Sequence, residues 1–70
     1  MTDHVYSVSE IVGSSPGGID AAISNALGRA RKTLRHLDWF EVTEIRGHLK
    51  DDGAIDYYQV TLKVGFRLED

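Results

Sequence analysis

Tyr57-Tyr58-Gln59-Val60-Thr61-Leu62-Lys63-Val64-Gly65-Phe66-Arg67-Leu68 alternates apolar and polar residues with a period of two. Successive side chains of a strand point to opposite faces. Tyr58, Val60, Leu62, Val64, Phe66 and Leu68 therefore make a core face, and Tyr57, Gln59, Thr61, Lys63, Gly65 and Arg67 make the other. Clean alternation of this kind belongs to an antiparallel sheet covered on one side. The rest of the chain is read by asking what pairs with this strand and what covers its apolar face.

Immediately upstream, Asp51-Asp52-Gly53 is a turn signal that closes a hairpin with a second strand running from about Asp38 to about Lys50. In that strand Phe40 and Val42 fall on the apolar face, so Trp39, the only tryptophan, shares the opposite face with Glu41 and Thr43. Unbroken alternation also places Ile45 and Leu49 with Trp39, on the face that carries Tyr57 and Gln59. Further upstream, Ala22, Ile23, Ala26, Leu27, Ala30, Leu34 and Leu37 follow the spacing of one helical face, which predicts a helix from about Gly18 to about His36. Asp20 sits near its positive end, and Arg29, Arg31, Lys32, Arg35 and His36 gather near its negative end. The first strand spans Val5 to Val12 and gives way to Gly13-Ser14-Ser15-Pro16-Gly17-Gly18, a loop and helix entry. The expected fold is α+β in the order β-α-β-β: a three-stranded antiparallel sheet with one long helix on one face, as a single domain over 1–70.

A chain of 70 residues buries too little surface to be comfortably stable alone. It contains no cysteine, so disulfides and thiolate metal sites are closed to it, and oligomerisation is the remaining route. One helix covers one face of the sheet, which leaves the Trp39 face for a neighbour. The net charge of -3 argues against a generic nucleic-acid binder. No apolar run approaches the ~20 residues of a membrane span, and Met1-Thr2-Asp3-His4 is too polar for a signal peptide, so a soluble cytoplasmic protein is expected.

Catalytic signals are poor. The serines lack a nucleophile elbow, and the glycines after Val12 lack both the Walker lysine and the dinucleotide spacing. His4, His36 and His48 are too scattered for a metal site and read as surface histidines, while Asp51-Asp52 reads as a hairpin tip. The basic helix end is either a solvated face or a phosphate attractor, which Arg67 would join if the sheet edge lay close. The most selective grouping is Trp39 with Gln59 on the non-core face, an aromatic platform and a donor-acceptor amide, with Arg46 as a nearby cation. Two readings stay open at this point: the face meets a planar ligand, or Trp39 packs into a subunit interface with Gln59 at its rim.

These residues carry a family resemblance over nearly the whole chain. Ser14-Ser15-Pro16, the helix with Ala26 and Thr33-Leu34, Trp39-Phe40-Glu41-Val42, Tyr58-Gln59-Val60 and Val64-Gly65-Phe66 together resemble the dodecins, the bacterial, mycobacterial-type members in particular. The resemblance implies a sheet wrapped around its helix and a hollow homododecamer of cubic symmetry. It also implies flavins held between subunits, their isoalloxazine rings stacked on tryptophans at the position of Trp39, with the amide of Gln59 on the ring's polar edge. Arg46 matches a position close to the flavin, and Glu44 falls where archaeal members carry an aspartate near the ribityl chain. Some members also hold coenzyme A, which would give Arg29, Lys32 and Arg67 a phosphate-binding role.

The expected function is storage and photoprotective sequestration of FMN, or of riboflavin or FAD, without catalysis. The alternative is a purely structural oligomer that buries Trp39. A flavin-using redox enzyme is disfavoured, because no nicotinamide fingerprint is present and a ring covered on both faces leaves little room for hydride delivery.

Overall fold

The computed structural model describes residues 3–68; the outermost positions of the expected 1–70 domain, including the polar start Met1-Thr2, lie outside them. The element order is β1 (Tyr6–Ser15), α1 (Ile19–Ala30), β2 (Leu37–Leu49) and β3 (Ile55–Arg67). All three strands form one antiparallel sheet in the order β1-β3-β2, so the alternating strand that opens the sequence argument is the central one.

The core is the expected face of β3 closed by the helix. Val60, Leu62 and Val64 are fully buried against Ala22 and Ala26, with Ile11, Ile23, Leu27, Leu37 and Val42 packed around them. Alanines on the helix face allow a close approach, and Gly13 of β1 completes it. A Cβ at Gly13 would collide with the backbone oxygen of Ala22 and would come within 2.7 Å of Ala26 Cβ.

Two boundaries and one register differ from the sequence reading. Strand β1 runs on through Gly13 and Ser14 to Ser15, because these residues keep pairing with Val60, Gln59 and Tyr58. The helix, expected to reach His36, ends at Ala30. There the bonding tightens to a three-residue pattern, Lys32 N–H to Arg29 O and Thr33 N–H to Ala30 O, and His36 takes a left-handed φ of 62°, which turns the chain into β2. Leu34 still reaches inward because the turn keeps winding, with its N–H bonded to Ala30 O.

The third difference decides the face of half a strand. Val42 pairs with Leu62 and Glu44 with Thr61, which leaves Thr43 as a β-bulge. Beyond a bulge the alternation changes phase. Ile45 therefore stands opposite Val60 on the helix side of the sheet, not on the Trp39 face where unbroken alternation placed it. Glu44, Arg46 and His48 are carried to the outer face instead, opposite Thr61, Gln59 and Tyr57.

The molecule is long and thin, 56 × 20 × 15 Å. A 12-residue helix spans about 18 Å whereas a 13-residue strand spans about 43 Å, so the β2–β3 hairpin projects well past the helix. Among the described residues no helix is long and apolar enough to cross a membrane.

Candidate functional site

The outer face of the sheet carries two groups of residues, one at each end of the hairpin. At the first end, Trp39 stands opposite Gly65 on β3. The absence of a side chain there is a steric requirement: a Cβ on Gly65 would fall onto Cε2, Cζ2 and Cδ2 of the indole. The ring thus rests on bare backbone and remains 41% exposed. Tyr6 of β1 borders it, with ring centroids 6.2 Å apart and planes at 58°. The Tyr6 hydroxyl donates to Asp38 Oδ2 at 2.8 Å, and that bond, followed by the small loss of hydration and the negative charge of Asp38, raises the phenol above its ordinary 10.0 against a lowering pull from Arg67.

At the second end, Arg46 lies opposite Gln59 and His48 opposite Tyr57. Arg46 Nη2 pairs with Glu44 Oε1 at 3.3 Å, both side chains being well exposed. The His48 ring lies flat on Tyr57, with centroids 4.4 Å apart and planes at 12°, and its Nε2 is 3.0 Å from Gln59 Oε1. A recess of about 300 Å³ opens beside Gln59 and Tyr57, walled by Ser14, Ser15, Pro16 and Asp56.

Trp39 and Gln59 thus share one face, as alternation indicated, but not one site within a single chain. Gly65 and Gln59 are six residues apart along β3, about 20 Å at ~3.3 Å per residue. A planar ligand touching both must take the ring from one chain and the amide from another. Arg46 and Glu44, in contrast, are brought directly to Gln59 by the bulge at Thr43. Arg67 stands on the outer face opposite Tyr6, whereas Arg29 and Lys32 belong to the helix layer behind the sheet, so one chain does not assemble the three into a phosphate site.

A cleft of about 620 Å³ lies between the end of the helix and the start of β2. Its apolar lining is Leu27, Leu34, Leu37, Phe40 and Val64, and Arg31, Arg35, His36, Asp38 and Trp39 border it as well. It has the composition of an interface recess more than that of a site with converging polar groups. Among the described residues no cluster of histidine, aspartate and glutamate is disposed to hold a metal ion.

The sequence reading left two contributors out. Alternation puts Gly65 on the polar face without a role, because its contact with Trp39 depends on a register set by bulges. His48 reads in the sequence as an ordinary surface histidine, and only the phase change at Thr43 places it against Gln59.

Comparison with known proteins fits this architecture. The dodecin family profile matches residues 5–69. The chain is also 62% identical over 66 residues to the dodecin of Thermus thermophilus, covering 94% of each. The chain belongs to the dodecin family. Among solved dodecin-like structures, a Thermus thermophilus protein superposes with a TM-score of 0.89 at 60% identity, covering 97% of this chain and 98% of the other. The dodecin from Streptomyces davaonensis gives 0.91 at 56% identity, covering 99% and 100%. The dodecin subunit, three antiparallel strands and one helix, is the fold found here.

Proposed function

We propose that the protein stores flavin, FMN in the first place, in the cytoplasm as a homododecamer, holding isoalloxazine rings between Trp39 side chains of neighbouring subunits and turning nothing over. The observation that carries this reading is the indole of Trp39: it is laid on the backbone of Gly65 and left 41% exposed on a sheet face that no element of its own chain covers. An exposed indole plane is costly as mere surface and well suited to stack a planar ring, at about 1 kcal/mol per aromatic pair beyond area burial.

Gln59 supplies the directional part. Its amide offers a donor and an acceptor to the polar edge of the ring, and Arg46, held by Glu44 on the same face, supplies positive charge for the phosphate or the electron-rich ring. The ring would bring visible absorption and photochemistry, and contact with electron-rich indoles would quench its excited state. Family membership supports the reading, and so does the separation of Trp39 from Gln59, which requires more than one chain to complete the site.

Fluorescence titration tests it. Added FMN is expected to lose its emission on binding, and Trp39→Ala to abolish most of that quenching while the assembly stays intact by size-exclusion chromatography. Equal quenching by Trp39→Ala, or a variant that merely falls apart in a protein with no flavin response, would overturn the reading in favour of a purely structural role.

A further inference from the structure

His48 is held on two sides at once. Its ring lies flat on Tyr57, its direct cross-strand partner, and its Nε2 reaches diagonally to Gln59 Oε1 at 3.0 Å. Gln59 occupies the face position opposite Arg46 and lines the recess of about 300 Å³ beside Ser14, Pro16 and Asp56.

The two ends of a primary amide have nearly the same shape and opposite hydrogen-bonding character, and a half-turn about the last torsion exchanges them. What such an amide offers a ligand is therefore set by its other neighbours. Arg46, the nearest cation across the strand, is engaged with Glu44 at 3.3 Å. The contact that orients Gln59 is the one with His48. A carbonyl oxygen only accepts, so a bond to Oε1 requires a proton on His48 Nε2. With that proton in place, Oε1 is drawn towards His48, keeping one lone pair free, and the amide NH2 turns away from the ring. If the proton moved to Nδ1, Nε2 would become an acceptor and the amide would turn over.

We propose that His48 is a positioning residue that fixes the hydrogen-bonding polarity of Gln59, so that the amide presents one acceptor and a flanking donor in a set order. A ligand edge with an N–H beside a carbonyl, as on the pyrimidine side of an isoalloxazine, fits that order. This inference rests on the flavin reading for the identity of the ligand, but not for the contact between His48 and Gln59. Tyr57 contributes by holding the imidazole flat, which keeps Nε2 aimed along the strand diagonal.

Two measurements on the assembled protein test it. Side-chain nitrogen NMR of the ligand-free protein is expected to show the His48 proton on Nε2, and Gln59 NH2 resonances that move in His48→Phe; an Nδ1–H tautomer overturns the proposal. FMN titration is expected to show binding weakened about five- to tenfold in His48→Phe, which keeps a flat ring on Tyr57 but has no donor, with most of the loss recovered in His48→Gln. In a Gln59→Ala background His48→Phe should cost nothing further. An equal loss in both backgrounds shows that His48 acts other than through Gln59 and overturns the proposal. Absence of FMN binding by the unaltered protein ends the flavin reading alone, and the NMR result then decides the polarity of Gln59 by itself.

Discussion

At the scale of single residues, the candidate site depends on a hydrogen atom. Gly65 is required because the indole of Trp39 occupies the space of its Cβ. Gly65→Ala is therefore expected to lift the ring off the sheet and to weaken FMN binding at least tenfold, with a shift in tryptophan emission that reports the movement; an unmoved emission band would show that the strand yields instead. Overpacking of this kind costs about 1–3 kcal/mol. Tyr6 lends itself to a test by pH. Its proton is retained longer because it is donated to Asp38, so the bond's contribution to stability is complete below pH 10.0 and disappears as pH rises through the higher value in the folded protein. Ultraviolet titration of Tyr6→Phe against the parent chain should subtract a tyrosine step centred above pH 10.0, and a subtracted step at or below it would refute the assignment. The outward position of Trp39 was legible from alternation alone. Gly65 and His48 were not, since both acquire their meaning from partners across a register that no local pattern encodes.

At the scale of elements, the informative failure of pattern reading is the bulge at Thr43. The period-two rule holds from Trp39 to Val42 and from Glu44 to His48, and the shift at Thr43 exchanges the faces between these stretches, putting Ile45 inward and Arg46 outward. Thr43 anchors that bulge by donating its hydroxyl hydrogen to Thr61 O at 3.2 Å. Central β3 was read correctly because its long alternation is unbroken through Val60, Leu62 and Val64. The helix was read too long for a related reason. Apolar spacing continues through Leu34 and Leu37, yet the backbone leaves the helix after Ala30, so periodicity recorded which side chains point inward and not which hydrogen bonds form. The helix also sets a steric limit on β1. Gly13→Ala would drive a methyl group into the Ala22 carbonyl and Ala26, where rigid backbone cannot yield. We expect a loss of about 1–3 kcal/mol, seen as a fall in Tm of about 4–8 °C for each kcal/mol, and an unchanged melting curve would show that the helix moves freely away from the sheet.

At the scale of the whole molecule, more large apolar side chains lie outside than inside. The fully buried ones are Leu62, Val60 and Val64, whereas Val8, Val12, Phe40, Ile45, Leu49 and Ile55 remain exposed. Ile45, Leu49 and Ile55 lie on the projecting hairpin and Phe40 at the cleft, while Val8 and Val12 stand on β1 opposite Gly65 and Thr61. So much exposed apolar surface fits the oligomeric assembly that dodecin family membership implies, and the shortness of the sequence and its lack of cysteine point the same way. Stability should then depend on protein concentration, because assembly stabilises only the folded form. Phe40 tests which surface is responsible. It lies at the cleft that Trp39 also borders, 46% exposed, and its cross-strand partner is Val64 on the core face whereas that of Trp39 is Gly65 on the other. Phe40→Asp introduces a charge where a neighbour would bury an aromatic ring, at a cost of several kcal/mol in each contact. We expect that variant to sediment as small species with a lowered, concentration-dependent Tm, while Trp39→Ala keeps its size and loses flavin quenching. The opposite pattern, an intact Phe40→Asp assembly and a dissociated Trp39→Ala, would mean that the tryptophan face holds the subunits together and that the ligand, if any, binds elsewhere.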